Sequence, residues 1–170
     1  MFRYSIIVVL VLSISLLMIS PDSFSQGDQA EINTLKGIKG IGVSVEDIDA
    51  DAVAEGLNKD KLLQLITQKL KKSGVKVLTD LELRTVSGQP KLVLNINSIK
   101  QPGPIYIFTT TLDLTQIVLL ERNKGLTSVS PTWTVLTTGG SLPEDLAATV
   151  QASVDPMLES FITDYKKANP

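Results

Sequence analysis

Downstream of residue 35 the apolar positions switch between a two-residue and a helical period, and each switch predicts an element. In LKGIKGIGVSV, Ile41, Val43 and Val45 alternate with small or polar residues, which predicts a strand over 35–45. NKDKLLQLITQKLKKS, residues 58–73, puts Leu62, Leu63, Ile66 and Leu70 on one helical face. Asn58 suits the N-cap and Asp60 the first turn, while Lys69, Lys71 and Lys72 complement the dipole at the far end. Gly74 offers the left-handed stop. VKVLTDLEL then predicts a strand with Val75 and Val77 inward. KLVLNINSIK alternates cleanly, with Leu92, Leu94 and Ile96 on one face and Val93, Asn95 and Asn97 on the other. QPGP at 101–104 is a loop, and IYIFTTTLDLTQIVLLER is a long strand rich in threonine and aromatics. NKGLTSVSP is predicted as a second loop and PTWTVLTT as the last strand, so the three later strands form an antiparallel meander.

The chain closes on a helix. Ser141 and Glu144 stand in capping-box spacing, with Pro143 in the first turn. Leu142, Leu146, Val150, Val154, Leu158, Phe161, Ile162 and Tyr165 form one apolar stripe. Pro156 lies inside it and is expected to kink or split the helix near Asp155. The predicted order is β-α-β-β-β-β-α. That order makes a two-layer α+β sandwich: a mostly antiparallel sheet with two helices on one face and a wet opposite face.

The N-terminus has a different pattern. Arg3 precedes an uncharged run from Ser5 to Ser20, broken by Pro21 and followed by small residues. This is the layout of a secretory signal peptide, with cleavage expected after Ser25. The rival is an uncleaved anchor, but the apolar run of about 15 residues falls short of the roughly 20 needed to span. No cysteine lies near the cleavage site, which excludes a lipid-anchored form. Residues 1–25 are thus a predicted leader, 26–34 (QGDQAEINT) a polar flexible lead and 35–170 a single domain.

Composition then narrows the chemistry. A net charge of −2 gives no long-range pull toward nucleic acid or anionic membrane, and no membrane span is expected after cleavage. With neither cysteine nor histidine, this chain cannot build a Ser-His-Asp triad, a cysteine nucleophile, a disulfide or a His- or Cys-held haem. A usual zinc site lacks its ligands, and no cofactor is expected. What remains is carboxylate, lysine, tyrosine and hydroxyl chemistry. Asp80 with Glu82, and Asp113 with Glu121, are the carboxylate pairs a weak hydrolase could use. An enzyme is nevertheless not expected, because neither pair sits in a segment that signals a cleft.

Four features raise the question of a binding role. VEDIDADAVAE, residues 45–55, sets Asp47, Asp49 and Asp51 at alternate positions, like the opening of a calcium loop. Position 6 of that loop would be Ala52 and position 12 Asn58, so its glycine and its bidentate glutamate are both missing. The plain alternative is a wet strand-to-helix connection with AVAEGL as a short helical turn. Gly37, Gly40 and Gly42 lie within or before the predicted strand rather than after it, which argues for a loosened strand over a phosphate loop. Trp133, the single tryptophan, is a candidate partner-binding platform or a core residue. Asn95 and Asn97 are candidates for a polar recognition surface or for plain solvation of the outer face.

LKGIKGIGVSVEDI, KKSGVKVLTD, KLVLNINSIK, PTW and the closing FITDYKKANP together resemble a group of small exported bacterial proteins of uncharacterised function. The element order also resembles the periplasmic N-terminal domain of the Tol-system translocation protein and the lipopolysaccharide-assembly lipoprotein. Those resemblances imply a periplasmic or secreted α+β module that binds another envelope component, and they transfer no site residues. The leading expectation is an exported non-catalytic binding domain. Two alternatives stand beside it: a carrier of a lipid or sugar held between the sheet and the terminal helix, and the carboxylate hydrolase. The pattern assigns no oligomeric state.

Overall fold

The structure, a computed structural model, describes residues 28–170, so the predicted leader lies outside the described residues. The elements follow the order α1 (Gln29–Thr34), β1 (Gly42–Val45), α2 (Ala50–Ala54), α3 (Lys59–Lys72), α4 (Asp80–Thr85), β2 (Lys91–Lys100), β3 (Tyr106–Leu120), β4 (Asn123–Ser141), a 3-10 turn (Pro143–Asp145) and α5 (Leu146–Ala168). They build an α+β fold around one four-stranded sheet in the order β1-β2-β3-β4. β2, β3 and β4 form the antiparallel meander. β1 runs parallel to β2, with Val43 opposite Leu92 and Val45 opposite Leu94. A parallel neighbour requires a crossover, and α2, α3 and α4 supply it.

The register stacks the inward side chains in rows. Val43, Leu92, Leu114 and Trp133 make one, and Val45, Leu94, Leu112 and Val135 the next. Leu62, Ile66 and Leu70 of α3 and Val150, Val154, Leu158 and Phe161 of α5 close over the same face in one continuous core. Each such side chain, fully removed from water, contributes roughly 1.5–3 kcal/mol. Lys69 ties the two helices together: its ammonium lies 2.6 Å from Asp155 and 3.1 Å from Glu159 on α5. Burial alone would lower the Lys69 pKa, but the hydrogen bonds its ammonium donates to Asp155 and Glu159 outweigh it, and the net shift is upward.

Several predicted elements are corrected. The expected flexible lead contains α1, whose Ile32 is buried. It is held by Thr34, whose hydroxyl donates to the Thr132 carbonyl at 3.0 Å. The strand predicted from residue 35 shrinks to Gly42–Val45, because Leu35 caps α1 and Gly37 turns the chain at φ 80°. VKVLTDLEL is not a strand beyond a single bridge between Ile41 and Val77; from Asp80 it is helix α4. Thr79 and Glu82 form a reciprocal capping box there, which overrides the weak alternation of the segment. The loop predicted at NKGLTSVSP is instead the first half of β4, joined to β3 through a tight turn at Glu121 and Arg122. At the other end of β4, Ser141 is the last strand residue and donates to Leu142, so the expected capping box does not form. Pro156 does not split α5, which runs unbroken from Leu146 to Ala168.

Gly40 and Gly42 are explained by packing rather than by strand looseness. A Cβ on Gly42 would stand 2.7 Å from the Leu83 side chain, and one on Gly40 2.9 Å from Leu78. The missing side chains let α4 and the segment before it press onto the sheet edge.

Candidate partner-binding surface

Trp133 is not a surface platform. It is 0% exposed at the centre of the core, edge-on to Phe161 with ring centroids 5.1 Å apart. Its indole N–H donates to Asp164 Oδ2 at 3.0 Å. The alternation of PTWTV points it inward, beside Val135, and leaves Thr134 and Leu136 on the outer side.

The outer face is a polar field. Asn95 stands opposite Thr111, and Asn97 opposite Thr109, which in turn faces Thr138. Asn97 is exposed and donates to the Asn95 side chain at 3.2 Å; Asn95 is half-buried. Thr134 donates to Asp113 Oδ1 at 2.8 Å. These side chains thus satisfy one another across the strands, as a solvated face requires.

That field is bounded by apolar residues. At one end Ile99 and Ile107 pair directly across the strands, and Ile99 is 65% exposed. At the other end β3 and β4 run past the core as a two-stranded ribbon. Trp133 and Leu114 are its last buried pair, and beyond them Thr132 is an extra residue that makes a bulge. The remaining six residues of β3 reach roughly 20 Å by strand rise. Ile117 stands opposite Val129, and Leu119 follows two residues on, so the three share the outer face. Leu119 is 65% and Val129 68% exposed. The base of the ribbon is fixed: the Ile117 amide donates to the Gly88 carbonyl at 2.7 Å, and Gln116 donates to Thr34 and Thr132. The sequence reading missed this surface because it treated the returning half of the hairpin as a loop. The signal that could have found it is TSVS, which alternates in phase with TQIVL.

The acidic segment stays dispersed. Asp47 is 2.6 Å from Lys59, and that hydrogen bond and charge lower its pKa. Asp49 precedes α2 as its N-cap residue, and Asp51 lies in its first turn. Among the described residues no group of three or more acids is placed to hold a metal ion. The carboxylate pairs are also separated in role. Glu82 is bound to Thr79 and Lys76, and the backbone hydrogen bond from Thr79 leads the lowering of its pKa. Asp113 and Glu121 are a strand apart, roughly 25 Å by strand rise, with Asp113 mid-sheet and Glu121 at the ribbon turn. Beside Pro156, where a carrier would need an enclosed apolar cavity, an open groove of about 590 Å³ between α3 and α5 is lined by Leu65 together with Lys61, Gln64, Gln68, Lys69, Lys72, Gln151 and Asp155. Met157 and Leu158 beneath it are fully buried in the core.

No protein-family model matches the chain, and no curated protein matches it. Among solved structures, the fold is weakly similar to a minor lipoprotein from Acinetobacter baumannii, with 12% identity over 74% of this chain and 82% of that one and a TM-score of 0.24. A likeness of that degree transfers neither a site nor a function. Among the described residues no helix is long and apolar enough to cross a membrane.

Proposed function

We propose that this protein is an exported, non-catalytic domain that binds another envelope or secreted protein through the β3–β4 ribbon and the adjoining outer face of the sheet. The observation that carries the reading is the apolar cluster of Ile117, Leu119 and Val129 on a ribbon held away from the core. Exposed apolar residues grouped on one face lower solubility unless a partner covers them. The apolar body of the domain, by contrast, is closed under α3 and α5. The signal-peptide pattern supplies the compartment, and Asn95, Asn97 and the threonines supply a hydrogen-bonding field next to the apolar anchor.

A photoreactive residue placed at Leu119 in cells tests this, with one at Lys61 on the helical face as control. The expected result is an adduct of fixed mass to one envelope or secreted protein from position 119 alone, lost with Val129→Asp. Adducts to lipid or sugar would turn the reading toward a carrier. Equal capture from both positions, or none, would remove it.

A further inference from the structure

The two ends of the sheet are treated differently. β1 is four residues long, and its outer side begins covered: the Ile41 amide donates to Lys76 at 2.9 Å and its carbonyl accepts from Leu78 at 2.8 Å. β4 is nineteen residues long and ends the sheet, with no described strand on its other side. Edge strands are ordinarily blunted by charge, by proline or by shortness. From Gly125 to Ser141 this one carries no charged residue. Pro131 and the bulge at Thr132 interrupt pairing at one point, near where α1 attaches, and leave the segment from Trp133 to Ser141 regular and open.

We infer that this open segment of β4 pairs antiparallel with the same segment of a second copy of the chain, joining two sheets into one of eight strands around a two-fold axis at Leu136. The occupant follows from charge. A two-fold axis sets the strand against itself, so any charge near the axis would meet its own like, and this stretch has none. Leu136 supplies the centre. It is 57% exposed and lies on the outer face between Thr134 and Thr138. With the axis at Leu136, the two Leu136 side chains cover each other and Thr134 stands opposite the partner's Thr138. The helices of both copies lie on the same side of the joined sheet. The ribbon and the field around Asn95 stay open, so this pairing is independent of the partner binding proposed above.

The absence of cysteine makes the test clean. Light scattering of residues 26–170, which hold the whole described fold, is expected to give the mass of a dimer. Leu136→Lys, a substitution at a half-exposed site, is expected to give a monomer with unchanged circular dichroism. Leu136→Cys is expected to form a disulfide-linked dimer under mild oxidation, whereas Ser44→Cys on the opposite edge strand is not. A monomeric wild-type protein, a Leu136→Lys variant that remains dimeric, or equal crosslinking from both cysteines would overturn the inference.

Discussion

Trp133 shows how a single residue changes meaning with its neighbours. Flanked by threonines it leaves a surface aromatic open beside the more common core one, and its burial was decided by which face of β4 turned to α5. Its indole N–H then needed an acceptor, and Asp164 provides one inside the core. Trp133→Ala is therefore expected to cost roughly 3–5 kcal/mol of stability, measured by urea denaturation, and any loss of binding in that variant would report on folding. Thr110 is the opposite case. It is fully buried on the inner side of β3, and its hydroxyl has no hydrogen-bond partner among the described residues. Thr110→Val keeps the shape and removes the unpaired group, so a gain of about 1 kcal/mol is expected in the same measurement. Tyr165 donates to the Ile38 carbonyl at 2.6 Å, and burial raises its pKa above 10.0. The folded protein thus holds a proton that the unfolded chain loses first. The resulting contribution is intact below about pH 10 and fades as pH rises through the folded-state value. Thermal melts above that pH should fall more steeply for wild type than for Tyr165→Phe; equal slopes would remove this account.

At the scale of elements, strong local signals were legible and weak ones were overridden. The α3 helix appears with its Asn58 cap, accepting from the Lys61 amide at 2.9 Å, and β2 appears with the alternation of its sequence. The segment after Val77 carried two competing signals, a faint alternation and the Thr79–Glu82 capping box. The box prevailed because α4 can bury Leu83 on the edge of the sheet, against Gly42. Gly42→Ala places a methyl where Leu83 already sits, and a loss of about 1–3 kcal/mol is expected. A melt unchanged from wild type would show that α4 does not depend on this contact. Pro156 removes one backbone donor from α5 without ending it, since the packing of Val154, Met157 and Leu158 on the sheet outweighs the lost bond.

The described residues form one core with an appendage. Because α3, α5 and every strand contribute to a single apolar cluster, the domain is expected to unfold in one cooperative transition, with fluorescence of Trp133 and far-UV circular dichroism changing together. Replacing Leu119–Thr127 by an Asn-Gly turn, which leaves the paired Val118 and Ser128 flanking it, should keep that transition within a few degrees of wild type, since none of those residues belongs to the cluster. Divergent melts by the two probes would show that the layers are separable.

The sequence by itself determined the α+β class, the amphipathic helices, the meander and the exclusion of thiol and imidazole chemistry, because period and composition are local properties. Tertiary structure decided the rest. Whether β1 pairs parallel, whether Trp133 faces in, how far β4 extends and whether three alternating aspartates converge all depend on which distant segment lies alongside. Asp47 turns to Lys59, and Leu119 finds no cover; neither fact is carried by the residues next to them. The surface proposed for binding was placed by the return of β4 along β3, which shows only when the spacing of the two strands is read together.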